Sequence, residues 1–157
     1  MKKLHHELSW GIYFTLMMIG WMALEKLLGF HDEKINLHAV FTNLVMLPAI
    51  ALFILAIRKK RLQLGGKITY KLAFVCGAWM IFFITLLTPL TIYSSVVWIS
   101  PDFFQNMIDY SVKNGLVSKE QAISFFNLKS YMIQSVLATP IMGLITTSIV
   151  SWFSSRK

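Results

Sequence analysis

Four runs of apolar residues, each about long enough to cross a bilayer, dominate this chain, and the basic content of the segments between them switches from side to side. An α-helix rises about 1.5 Å per residue, so roughly 20 residues cover the ~30 Å hydrocarbon layer. The predicted spans cover about 8–30, about 37–57, about 72–99 and about 131–153. Only 14% of the 157 residues are charged, against about a quarter in soluble domains. Lipid, rather than a water-excluding core, is therefore the solvent these runs match.

Basic residues then orient the spans. Lys2, Lys3, Arg58, Lys59, Lys60, Arg61, Lys67, Lys71, Arg156 and Lys157 fall on one side, and Lys34, Lys113, Lys119 and Lys129 on the other. Positive charge accumulates on the cytoplasmic face, so both termini are predicted to be cytoplasmic in a bacterial inner membrane. The net charge of +8 is explained by that bias and does not call for nucleic acid. Arg58, Lys59, Lys60 and Arg61 are expected to stop the second span and meet anionic lipid headgroups. No A-x-A site follows the first apolar run, which is read as a span and not as a cleaved leader. Cys76 is the lone cysteine, so no disulfide framework is expected.

Two amphipathic extracytoplasmic helices, about 101–114 and about 119–130, are predicted between the third and fourth spans. Ser100 suits an N-cap, Pro101 a first helical position and Asp102 the positive end of the helix dipole. Phe103, Phe104, Met107, Ile108 and Val112 share one face, which reads as a lid over hydrophobic side chains or a docking surface. Gly115 suits a helix end, and Ser118 with Gln121 makes a capping-box pattern. The expected fold is an all-α integral membrane bundle of four transmembrane helices with this segment as its cap.

The run Gly65-Gly66-Lys67-Ile68-Thr69-Tyr70-Lys71-Leu72-Ala73-Phe74, with Gly77 three residues on, resembles the signature of the bacterial membrane family known as domain of unknown function 4199. Pro101-Asp102-Phe103-Phe104 and the stretch from Gly115 to Gln121 match its later features in the same order. The resemblance covers nearly the whole chain. It implies four membrane helices, no established activity and no catalytic residues to carry over.

Helices in lipid associate through close backbone approach. Ala73 and Gly77 form a small-xxx-small pair, and Ser135, Thr139, Gly143, Thr147 and Ser151 recur every four residues along the fourth span. These are the expected packing positions, within one chain or between copies. Pro48, Pro89 and Pro140 each interrupt a span, with Thr85 and Thr88 placed to satisfy the backbone freed near Pro89. Trp10, Trp98 and Trp152 read as interfacial belt residues, and Trp21 and Trp79 as core.

Charge inside a span is costly and tends to face the bundle or water. Glu25 is thus the sharpest candidate, with Asn43, Tyr93 and Gln134 at similar depth as a polar vestibule. Interfacial anchoring is the alternative, since Glu25 and Lys26 lie about one turn from the helix end and could snorkel. His31 and His38 straddle Asp32 and Glu33 at a spacing that matches no zinc pattern, so no metal ligand or cofactor is assigned. No GxSxG, HExxH, P-loop or GxGxxG motif occurs. The expectation is a non-enzymatic accessory or binding component in the lipid bilayer, self-associating or serving a membrane partner. An oligomeric small-solute or ion transporter is the rival; a membrane enzyme is disfavoured.

Overall fold

A computed structural model describes residues 4–155, so the terminal basic residues Lys2, Lys3, Arg156 and Lys157 lie outside the described residues. Every regular element described is helical: α1 (His5–Leu27), α2 (Ile35–Thr42), a short 3-10 turn (Asn43–Val45), α3 (Met46–Gln63), α4 (Tyr70–Tyr93), a π-helical turn (Ser94–Ile99), α5 (Phe103–Lys113), α6 (Lys119–Phe125) and α7 (Leu128–Ser155). Four continuous rods are long and apolar enough to cross a membrane: His5–Leu27, Ile35–Gln63, Tyr70–Ile99 and Leu128–Ser155. The protein is an all-α membrane bundle capped by α5 and α6.

Helices outrun the apolar segments that suggested them. Arg58, Lys59, Lys60 and Arg61 were expected to end the second span, yet they lie inside α3, which continues to Gln63. Arg, Lys, Leu and Gln are good helix formers, so charge ends the apolar layer without ending the helix. The backbone turns only where Gly65 and Gly66 adopt φ of 81° and 89°. Thr69 then caps α4 by accepting the Leu72 amide at 3.3 Å.

The expected start of α5 also shifts. Pro101 and Asp102 form a turn ahead of the helix, Asp102 makes no side-chain capping bond, and the Ser100 hydroxyl is buried without a partner. The later signals match the structure: Gly115 has a φ of 65°, and Ser118 with Gln121 forms a reciprocal capping box that opens α6.

Helix α4 sits centrally and packs against α1, α3 and, most extensively, α7. Phe53, Ala56, Ile57, Met80, Ile81, Ile84 and Val150 fill the middle of the bundle. Gly77 faces Thr147 and Gly143 faces Ile81. Ala73 and Thr147 are fully buried, Ser135 is half-buried, and Thr139 lies 3.4 Å from Thr88, hydroxyl to hydroxyl. The small residues of α7 thus meet α4 of the same chain.

Thr88 donates to the Ile84 carbonyl at 2.9 Å, while the Thr85 hydroxyl is buried without a partner. The pair does not divide the work around Pro89 as expected. Trp79 differs too: it is 40% exposed on the outer face of α4 instead of lying in the core. Leu86, Leu137 and Phe153 are likewise open, as the lipid-facing side of such a bundle requires.

The closest helix contact makes a direct prediction. A methyl on Gly77 would fall 2.5 Å from Thr147 Oγ1, and overpacking of this kind costs about 1–3 kcal/mol. Gly77→Ala should lower the melting temperature in detergent, and adding Thr147→Ala should recover part of the loss. Gly20→Ala, which meets nothing within 4 Å, should not destabilise; equal losses at both positions would refute the packing assignment.

A buried carboxylate–imidazole cluster under the helical cap

Trp21 and Glu25 are four apart on α1 and therefore share a face. The Trp21 indole donates to Glu25 Oε1 at 2.8 Å. Helix α1 ends two residues later, because Gly29 takes a φ of 82°. The Phe30 amide reaches back to the Glu25 carbonyl at 2.9 Å and the Gly29 amide to that of Lys26 at 3.0 Å. These two bonds make a Schellman turn, a conformation that favours glycine at the left-handed position.

The turn lays His31 back over the residue it came from. His31 Nε2 lies 3.2 Å from Glu25 Oε2, with both side chains fully buried. Lys26 leaves the helix on another side and holds Asp32 through bonds of 2.9 and 2.7 Å. After the Lys34 amide closes the loop on the Gly29 carbonyl at 2.8 Å, α2 brings in His38, whose ring centre lies 5.3 Å from that of His31.

Helix α5 seals the cluster. Phe103 is 1% exposed, with its ring centre 4.9 Å from that of His31 and 5.1 Å from that of His38. Asn106, one turn further on, donates to the His31 carbonyl at 2.9 Å and to Asp32 Oδ1 at 3.1 Å. Tyr131 at the head of α7 packs edge-on against Phe104, 4.9 Å between centres, and extends the aromatic seal. The cap is a lid, as one sequence reading held, but beneath it lie two imidazoles and a carboxylate. One potential ligand atom from each of Glu25, His31 and His38 lies within 4.8 Å of the other two. Nδ1 of His31 and Nδ1 of His38 are buried without a hydrogen-bond partner.

Of the four proposed vestibule residues, only Glu25 belongs to this cluster. It is 0% exposed, which excludes snorkelling in this conformation. Asn43 is exposed and donates to the Ala39 carbonyl of its own helix at 2.8 Å. Tyr93 is exposed and packs edge-on against Trp98. Gln134 donates to the Ser130 hydroxyl at 2.8 Å. The four do not converge on one cavity.

Sequence reasoning missed Trp21, His31, His38 and Phe103 as a group. The available signals were the Trp21–Glu25 spacing and a glycine placed two residues before a histidine. They become informative only once the chain is known to reverse at Gly29.

A second buried charge lies at the other end of the bundle. Glu7 is 3% exposed and pairs with Lys60 at 2.7 Å. Nearby, His6 Nε2 donates to the Ala56 carbonyl at 3.0 Å. Lys60 was expected at lipid headgroups, but its ammonium is turned into the bundle by this carboxylate. Arg61 is half-buried and donates from Nε to the Gly66 carbonyl at 2.6 Å. Arg58 and Lys59 remain exposed. A starting point for the span at residue 8 had left Glu7 outside it; α1 begins at His5 and takes Glu7 in.

Two measurements follow from these ends. Lys60→Ala strands the Glu7 carboxylate and should cost about 3–5 kcal/mol, whereas Lys59→Ala at an exposed position should stay within about 0.5 kcal/mol. Matching losses would mean the ion pair is not structural. Phe103→Ala should cost about 3–5 kcal/mol and should admit a thiol reagent to His38→Cys in a Cys76→Ser background. Labelling at His38→Cys that is already complete beneath Phe103 would show the lid does not seal.

No curated protein and no solved structure shows significant similarity to this chain. A family model described as a protein of unknown function (DUF4199) matches residues 9–156. The match takes in all but the start of the first membrane helix, the other three, the Gly65-Gly66 turn and the cap, and on that coverage the chain belongs to the DUF4199 family.

Proposed function

We propose that this protein is a non-enzymatic binding component of a bacterial cytoplasmic membrane, and that its working part is the capped end of the bundle. The orientation in this proposal has the Gly65-Gly66 turn facing the cytosol and α5–α6 facing outward, on the charge bias described above. One observation carries the functional reading: the lid is attached to the polar cluster itself. Phe103 packs on both imidazoles and Asn106 grips the loop that carries His31. Whatever alters the charge or occupancy of Glu25, His31 and His38 therefore acts on α5, and through α5 on the surface a partner would meet. A binding event inside the membrane end is thereby coupled to the exposed cap.

The rival reading is transport by an oligomer, supported by an ionisable residue held within a span. The centre of the chain is filled by Phe53, Met80, Ile81 and Ile84, which disfavours passage through a single copy. Transport would require a second copy to complete the route.

Thermal unfolding of the full chain in micelles, titrated with protons, cations and small anions, tests the binding reading. At least one of these ligands should raise the melting temperature of the wild type, with the response lost in Glu25→Gln and weakened in Phe103→Ala. Flux in liposomes that disappears in Glu25→Gln would favour the transporter instead. A wild-type melting temperature indifferent to every ligand would end the binding proposal.

A further inference from the structure

We infer that Glu25, His31 and His38 form a site for one divalent transition-metal ion of the zinc class, held between the end of α1, the following turn and α2. This inference rests on the binding reading above and names its ligand. Zinc bonds to imidazole nitrogen and carboxylate oxygen at about 2.0–2.2 Å, and a tetrahedron of such bonds separates neighbouring ligand atoms by about 3.3 Å. Glu25 Oε2 and His31 Nε2 already stand 3.2 Å apart. With all three potential ligand atoms within 4.8 Å of one another, only modest side-chain rotation is needed to close the remaining edges.

The surroundings suit a cation. Glu25 is fully buried, and a carboxylate out of water requires a compensating charge. Lys26 lies next to it in sequence but is engaged by Asp32. A divalent ion would neutralise the carboxylate and bond one nitrogen of each imidazole at once.

Trp21 holds Oε1 and Thr42 also hydrogen-bonds the Glu25 carboxyl, the kind of outer hydrogen bonds that orient a ligand. The buried, unpaired Nδ1 of His38 is independent evidence of an unfinished polar site, whereas His31 would bond the ion through Nε2 and its own unpaired Nδ1 is not explained by it. Such an atom costs stability, and the imidazole of His38 that carries it is a proposed ligand.

The donor set also selects the ion. Two imidazole nitrogens and one carboxylate oxygen suit zinc and its transition-metal neighbours. Calcium and magnesium favour all-oxygen sites with more ligands. Three protein ligands leave one coordination position for water or a guest molecule. Bound metal would also pin both ends of the loop beneath Phe103 and so stiffen the lid.

The test uses the full-length chain in micelles, stripped with chelator and titrated with Zn2+ by calorimetry and with Co2+ by visible absorption. The expected result is one ion per chain and Co2+ bands of a four-coordinate nitrogen–oxygen site. Glu25→Gln and His38→Gln should each weaken binding at least about a hundredfold, and Trp21→Phe about tenfold, as loss of a supporting hydrogen bond does. His5→Ala, at an exposed histidine, should change nothing.

His38 makes no hydrogen bond among the described residues but packs on Phe103 and His31, so His38→Gln should fold with a lowered metal-free melting temperature, and its metal response is read against that baseline should Glu25→Gln misfold. A folded wild type that binds no Zn2+ would overturn the site. Binding unchanged in the Glu25→Gln/His31→Asn/His38→Gln triple variant would place the ion elsewhere. Displacement of Zn2+ by equimolar Ca2+ or Mg2+ would overturn the ion class. Melting that responds to protons or another ligand but not to Zn2+ would overturn the metal and leave the binding reading standing; no response to any ligand would overturn both.

Discussion

Backbone polar groups cannot be left unpaired in hydrocarbon, and the rest of this structure depends on that constraint. Each unsatisfied amide or carbonyl costs several kcal/mol there, in rough terms, so the chain crosses only as helices that satisfy themselves. The four rods follow from it, as does the glycine-led, hydrogen-bonded closure of α1 at Gly29 and of α3 at Gly65. Side-chain hydroxyls answer to the same need: Thr15, Thr88 and Ser95 each donate to a carbonyl four residues back. The interhelical faces are then left mainly to dispersion and close approach, and the Gly77–Thr147 contact shows how closely α4 and α7 meet.

Against that background the two buried carboxylates are exceptions held in different ways. Glu7 is neutralised by Lys60 from α3, a pairing that ties the first span to the second. Glu25 has no lysine; it has an indole, an imidazole three-tenths of a nanometre away and a second imidazole beyond. The Lys60 ammonium takes Oε1 of Glu7 and leaves Oε2 buried without a hydrogen-bond partner. Imidazoles can lose or gain a proton near neutrality and can bind metal, so the Glu25 end carries ligand chemistry that the Glu7–Lys60 pair does not. The Phe103 ring lies over the first of these ends.

Some elements were readable from local chemistry alone. The capping box at Ser118, the Thr69 cap and the glycine turns were legible because each depends on residues within a few positions of one another. The end of α3 was misjudged because a charge run was taken as a helix stop, when hydropathy and helix propensity measure different things. Trp79 was misplaced for a related reason: in lipid an aromatic ring is equally at home on the outer face. The vestibule failed as a group because depth along a span says nothing about azimuth. Asn43, Tyr93 and Gln134 lie on helices whose rotation is set by packing.

What the amino-acid order determined by itself is the number of crossings, the charge bias that suggests their direction, and the presence of an amphipathic segment between the third and fourth. These depend on hydropathy and on short-range propensities, which act along the chain. Only the tertiary structure decided that Glu25 meets His31 and His38, and that Phe103, more than sixty positions away in sequence, covers them. That meeting needs a chain reversal at Gly29, a particular rotation of α1 against α2, and α5 folded back over both. The reversal is local to Gly29, but the rotation of α1 and the fold-back of α5 are settled by packing between distant segments, and local sequence carries no record of them.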